Sequence, residues 1–297
     1  QTYSPAGRVA HREEFCEFAA MPKPFPHAYT RHHVVSEDGR VTFECIQDVE
    51  IWPWLALSPI HPILVQTINF WGSVEAGEAR GTFDPDAWSA LTHAEWTCGP
   101  ESAGLPTHGV YETIQNDEEM RYQLRFYDDE DVETVRISGK GVVFKTRNFE
   151  GWRKDTKEKF AIPDTSAFEY ATPSDLGVET PGECFLAPLS RGETVKTEGL
   201  ITKENGLRPA HPYIGGSGDH VNSTHMGEVG RQFAELFYGE RLINRSGEMR
   251  FMTYVELGRP FQIELVAQCE ADRTVSLLVR QRDRECTKID MSFEPAL

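Results

Sequence analysis

Four side chains able to carry protons or donate hydrogen bonds fall within nine residues: His220, Asn222, His225 and Glu228. They follow a glycine-rich turn, Gly215-Gly216-Ser217-Gly218-Asp219, and run without a break into Gly227–Tyr238. Glycines let backbone approach a ligand closely, and a helix start offers unpaired N–H groups at the positive end of its dipole. Such a place favours negative charge on a bound group, beside side chains that can transfer protons. If the chain has a reactive centre, its types and spacing put it here.

The elements that must position these residues follow from the pattern around them. Asn222 or Ser223 can cap a helix that Gly239 ends near Tyr238. Within it Gly227, Gly230 and Ala234 form a small-residue face, suited to lying close against a sheet, beside an apolar stripe of Met226, Val229, Phe233 and Phe237. Glu228, Arg231, Gln232 and Glu235 share the remaining side, where Glu228 and Arg231 suit a surface pair at i, i+3. A strand is expected over 193–201 before the helix. After it come strands over 248–256, 260–269, 273–281 and 286–293, the second alternating Phe261, Ile263, Leu265 and Ala267 with polar neighbours.

The first half reads as strands at short spacing. Tyr29–Val35 and Val41–Val49 flank an Asp38-Gly39 turn, Ile63–Phe70 is the next apolar run, and Asp84–Trp88 suggests a short capped helical turn. Strands over 109–114, 120–127, 132–138 and 141–146 complete a meander of the kind that closes into an antiparallel barrel. Prolines 163, 173, 181 and 188, with Gly177 and Gly182, mark residues 166–190 as a linker.

Two resemblances attach to these residues. His220-Val221-Asn222 resembles the H-V-N step at the helix entrance of acyl-carrier-protein and acyl-CoA thioesterases of the hotdog superfamily, and Val255-Glu256-Leu257-Gly258-Arg259-Pro260-Phe261 resembles the turn between the strands after that helix. The likeness covers about residues 191–295 and implies a mainly β fold with one central helix. It also implies a thioester substrate whose carbonyl is polarised by helix-start N–H groups, here those of Asn222–Thr224. Gly216, Ser217, Gly218, Asp219, Ser223 and Thr224 would line the substrate. The family's Asp-x-Asn-x-His pattern is met only at His220, with Gly216 and Gly218 at the Asp and Asn positions. A replacement carboxylate would be Asp219, Glu228 or Glu235. Glu228 is preferred as general base, with His220 as acid/base or water-orienting group. Asn222 serves as cap or substrate-positioning group, and His225 joins the catalytic set or makes a structural or dimer contact.

In the first half, Met120–Phe126, Gly139-Lys140 and Trp152–Thr156, with Phe15–Met21 and Gly81-Thr82-Phe83, resemble the lipocalin-like domain accompanying some cholesterol-oxidase-type flavoproteins. That implies a barrel over about residues 10–160 able to hold an apolar molecule. The expected organisation is an α+β chain: residues 1–165 a lipocalin-like barrel, 166–190 a linker and 191–297 a hotdog-like domain. No G-x-G-x-x-G follows a strand, so no flavin or other cofactor is expected.

Bulk properties narrow the function. A net charge of −17 argues against nucleic acid or an anionic membrane surface as the main partner. No apolar run reaches the roughly 18 residues of a membrane span. The six cysteines, Cys16, Cys45, Cys98, Cys184, Cys269 and Cys286, lack C-x-x-C or zinc spacing and suit buried thiols in a reducing, cytoplasmic setting. His32 and His33 are adjacent, and His220 and His225 lack H-x-x-x-H spacing, so no metal is expected. The sequence points to an enzyme on a lipid-like or polyketide-like acyl substrate, with thioester hydrolysis leading. A dehydratase, isomerase or cyclase of secondary metabolism, or a hydrophobic-ligand binder with a silent hotdog domain, are the alternatives. Hotdog domains usually pair, so a homodimer is expected unless the first half supplies the pairing surface.

Overall fold

A computed structural model of the chain describes residues 28–83, 88–116, 119–144, 154, 163–205 and 220–296. The first half contains β1 (Thr30–Val35), β2 (Val41–Cys45), α1 (Pro62–Ala79), β3 (Trp88–Cys98), β4 (His108–Asn116), β5 (Glu119–Tyr127) and β6 (Glu133–Phe144). The second contains β7 (Ser190–Arg191), β8 (Val195–Gly199), β9 (His220–Val221), α2 (Ser223–Tyr238), β10 (Leu242–Phe251) and β11 (Val255–Glu256). It ends with β12 (Phe261–Cys269), β13 (Thr274–Gln281) and β14 (Arg284–Pro295).

Twelve of these strands form one antiparallel sheet in the order β1-β2-β4-β5-β6-β3-β10-β14-β13-β12-β8-β7. Outward from its centre the order is the same on both sides: the strand after the helix, then the last strand of that half, then back to the first. The halves are therefore related by a pseudo-two-fold axis between β3 and β10, where Trp96 faces Gly247 and Glu95 faces Glu248. A Cβ on Gly247 would run into the Trp96 indole, so glycine is what lets the ring lie across the seam. The indole N–H donates to Asn244 Oδ1 at 2.7 Å, and the Asn244 amide donates to the Ser246 and Ser292 carbonyls. Asn244, one of two N-x-[ST] triplets, is thus committed to the core.

The lipocalin-like barrel is corrected here. The free edge of β3, which would have to return to β1 to close the first half, is occupied by β10, and among the described residues the sheet ends at β1 and β7. The strand expected over Ile63–Phe70 is also corrected: it is the first half of α1. Every residue from Leu64 to Asn69 is buried, polar and apolar alike, so the helix has no solvent face and the 3.6-residue period disappears from the sequence. The two strands expected over 132–138 and 141–146 form the single strand β6, and residues 84–87 of the expected helical turn lie outside the described residues.

Residues 166–190, expected as a linker, make specific contacts with α2. Thr172 caps a helical turn, Pro173–Leu176, that ends at Gly177, and Leu176, Cys184, Phe185 and Leu186 are buried. The segment lies over α2, where the Phe185 N–H donates to Gln232 Oε1 and Gln232 Nε2 donates to the Glu183 carbonyl. On its other side α2 packs on the sheet, with Gly230 set against Ile289 and Met291, while Gly227 faces Pro62 and Gln66 of α1. Among the described residues no helix is long and apolar enough to cross a membrane. Cys45, Cys98, Cys184, Cys269 and Cys286 are free thiols, the second, like Cys45, pushed up to about 12 by burial.

Candidate functional site

The entrance of α2 is assembled by a two-strand bridge outside the main sheet: β9 pairs with β11, Val221 opposite Val255 and His220 opposite Glu256. Gln281 holds the far side of that bridge, accepting from the Glu256 N–H at 2.8 Å and donating to its carbonyl at 3.1 Å. The two sequence stretches that carry the thioesterase resemblance are thereby brought side by side. His220 is half-buried, its ring edge-on to Tyr254 with centroids 4.9 Å apart.

Asn222 is the N-cap of α2. Its Oδ1 accepts from the Thr224 and His225 N–H groups at 3.0 and 3.2 Å. Its own N–H donates to His225 Nδ1 at 3.3 Å. Two of the N–H groups expected to form an oxyanion site, those of Asn222 and Thr224, are therefore already engaged, because the cap satisfies them locally. The same cap has a second effect. With Nδ1 acting as acceptor, the neutral His225 ring carries its proton on Nε2. That Nε2 is buried and has no hydrogen-bond partner among the described residues, and the same is true of Thr224 Oγ1. Burial, with a smaller contribution from His220, pushes His225 down to about 3, so the ring stays a neutral donor at physiological pH.

Glu228 lies one turn further along α2, and the surface pair expected with Arg231 is corrected to a buried one. Both side chains are nearly inaccessible: Glu228 is 2% and Arg231 5% exposed. Arg231 Nη2 donates to Glu228 Oε1 at 2.5 Å and Nε to Oε2 at 2.9 Å, and Gln232 Nε2 adds a third bond at 2.9 Å. Arg231 continues to Glu235 at 2.9 Å, and Arg241 reaches the other Glu235 oxygen at 2.6 Å. Burial alone would raise the Glu228 carboxyl, but the Arg231 charge and hydrogen bonds outweigh it and hold the group below its ordinary value. Glu228 is a fixed anion rather than a group poised to accept a proton.

Its remaining neighbour comes from the first half. His61 caps α1, its Nδ1 accepting from the Ile63 N–H at 3.2 Å, and its Nε2 stands 3.8 Å from Glu228 Oε2. Neither His61 nor Gln66, one turn into α1, stands out in the sequence while Ile63–Phe70 reads as a strand. A His-Pro step ahead of an apolar run is a cap with proline at the first helical position, which was the available signal. Gly216, Ser217, Gly218 and Asp219 lie outside the described residues; Ser223 and Thr224 open α2 and are buried.

No family model matches the sequence, and no curated protein matches it. Solved structures do match over nearly the whole chain. A protein assigned as an oleoyl thioesterase from Lactobacillus plantarum has a TM-score of 0.51 and 11% identity, covering 92% of this chain and 99% of its own. The dehydratase domain of RzxB from Pseudomonas fluorescens has 0.50 and 12%, covering 91% and 99%. A pyran synthase domain from module nine of the sorangicin pathway has 0.51 and 12%, covering 91% and 99%. The fold is hotdog-like. At these identities the likeness is one of architecture, and it spans both halves, so the first half is part of that architecture rather than an attached barrel.

Proposed function

We propose that the protein is an enzyme acting on an acyl thioester at the entrance of α2, with hydrolysis as the reaction. The observation that carries this reading is the His225 Nε2–H: buried, neutral and unpartnered among the described residues. Such a donor, fixed in place by the Asn222 cap, suits the oxygen of an acyl carbonyl on which negative charge develops, because it needs no reorganisation when the charge appears. In this scheme His220 takes a proton from the water as its oxygen attacks the carbonyl carbon. Collapse of the tetrahedral intermediate breaks the carbon–sulfur bond, and the proton passes to the leaving thiolate. Glu228, held by Arg231, orients His61 rather than acting as base. The oleoyl thioesterase, dehydratase and pyran synthase among the structural neighbours support the reading as an analogy of fold.

A second reading rests on a different observation. His61 and Glu228 meet across the two halves, and a histidine facing a carboxylate suits proton transfer along an acyl chain, as in dehydration or isomerisation. A panel of acyl-CoAs separates the two. Hydrolysis predicts free thiol, with a loss of about 10²-fold in kcat for His225→Phe, the worth of one polarising donor. Loss of water or migration of a double bond without thiol release would replace hydrolysis by the second reading. Neither product from any acyl thioester would remove both.

A further inference from the structure

The contact between the first turns of α1 and α2 contains more unmet hydrogen-bonding capacity than a closed protein interior keeps. Gln66 is 0% exposed, and both its amide nitrogen and its carbonyl oxygen lack a partner among the described residues. Thr224, also 0% exposed, has an unpartnered hydroxyl. Buried polar side chains are normally hydrogen-bonded, and a whole carboxamide without a partner is uncommon even among exceptions. The two residues belong to the facing first turns of the two helices. Gln66 Cγ lies 3.5 Å from where a Cβ on Gly227 would stand, and Thr224 precedes Gly227 by three residues, on the same face of α2. Thr224 also adjoins His225, whose Nε2–H is the donor assigned to the acyl carbonyl.

The chemistry of the missing partner can be read from what is unmet. Gln66 offers two donors and an acceptor, and Thr224 offers a hydroxyl able to do either. A carbonyl or ether oxygen would satisfy only the donors. A carboxylate or phosphate would be brought beside Glu228, one helical turn from Thr224 and itself a buried anion. An ammonium would leave the Gln66 amide hydrogens unmet. What remains is a neutral group that both donates and accepts. Resting on the acyl-thioester reading above, we propose that Gln66 and Thr224 receive a hydroxyl group carried by the acyl chain, so that the substrates are hydroxylated acyl thioesters rather than plain fatty acyl ones. Gln66 then determines specificity from the first half, while His225 polarises the carbonyl from the second.

Binding of unreactive ligands tests this independently of turnover. Coenzyme A thioethers of equal chain length, with and without a hydroxyl on the alkyl chain, are titrated calorimetrically against the full chain. The expected result is a Kd roughly tenfold lower for the hydroxylated thioether, the worth of one or two net hydrogen bonds. That ratio should fall towards one in Gln66→Leu and in Thr224→Val, the latter close in shape and a safeguard should Gln66→Leu fail to fold. Equal affinity for both thioethers in the unaltered protein would overturn the proposal and leave the acyl-thioester reading standing, with Gln66 and Thr224 satisfied by internal water. A preference that survives both substitutions would place the hydroxyl elsewhere and overturn it equally. If neither thioether binds and no acyl-CoA is turned over, the acyl-thioester reading falls first and takes this one with it.

Discussion

Each half of the molecule buries glutamate on its helix, Glu75 on α1 and Glu228 with Glu235 on α2, and the two helices accommodate it differently. Among the described residues Glu75 of α1 meets no cation within hydrogen-bond reach. Its oxygens accept from the Tyr29 N–H at 3.0 Å, the Thr30 N–H at 2.7 Å and the Thr30 hydroxyl at 2.5 Å, which ties β1 to the helix. Glu228 of α2 faces Arg231, which bridges on to Glu235 and Arg241. Burial wins at Glu75, which is pushed up to about 7 although the Thr30 and Tyr29 donors pull against it. At Glu228 the arginine wins and the carboxyl is lowered. Neutral donors anchor a strand; a full counter-charge is what keeps a carboxylate ionised inside α2, where His61 can feel it.

The largest test of this contrast is Arg231→Met. It strands Glu228 in the interior and leaves Glu235 with Arg241 as its remaining cation, and a loss of about 3–5 kcal/mol is expected in urea denaturation, as for other buried pairs deprived of one partner. A loss below about 1 kcal/mol would show that water reaches the network and that the charge on Glu228 is not protein-held. Gly177, at φ 68°, sits against the same network, and a Cβ there would collide with Glu235 and the guanidinium groups.

The pH dependence should divide between the halves. Glu75, raised from 4.5 to about 7, contributes stability that is present below pH 4.5 and lost as pH rises through 7. Glu228, lowered, and His225, lowered from 6.5 to about 3, work the other way: their contributions are present above 4.5 and 6.5 and fade as pH falls. Urea midpoints followed across pH should therefore show Glu75→Gln flattening the slope between 4.5 and 7 by about 1–3 kcal/mol. His225→Phe should flatten only the acid side below 6.5. The same slope lost in both variants would mean the two halves titrate as one.

The smallest effect separates the caps. Asn222 satisfies two backbone N–H groups of α2, His61 only one of α1. Asn222→Ala should cost about 1 kcal/mol and His61→Ala a few tenths, read as a difference in Tm by calorimetry. The reverse order would give His61 a structural weight that its contact with Glu228 does not explain.

The second half was readable because its signals are local. Asn222 and Gly239 bracket α2 where expected, Phe261 and Ile263 alternate inward on β12, and the His220-Val221-Asn222 step lies at the helix entrance. The hairpin at Asp38-Gly39 was local too. The first half failed where burial on all sides removed the period: Ile-Leu-Val-Gln-Thr-Ile-Asn-Phe reads as an inner strand, and its helical setting is made by β1, β5 and α2, which its own stretch of sequence does not show. The packing of the proline-rich segment over 166–190 was hidden for a related reason. Its contacts, such as Phe185 with Gln232, are made to a helix far along the chain, so nothing near it in sequence marks it as packed. At the candidate site, Glu228 and His225 could be named in advance. The burial of Arg231, the approach of His61 to Glu228 and the place of Gln66 beside α2 required the tertiary structure.

The β3–β10 seam carries one more consequence. Its two strands belong to a single polypeptide, so their encounter is set by the tether and not by how much protein is present, and the pairing of α1 with α2 survives any dilution. A symmetric pair of separate chains would stamp every substitution on both helices at once. Here a change can be made once, which is how one helix can carry Gln66 and Glu75 and the other His225, Glu228 and Arg231 around a shared axis.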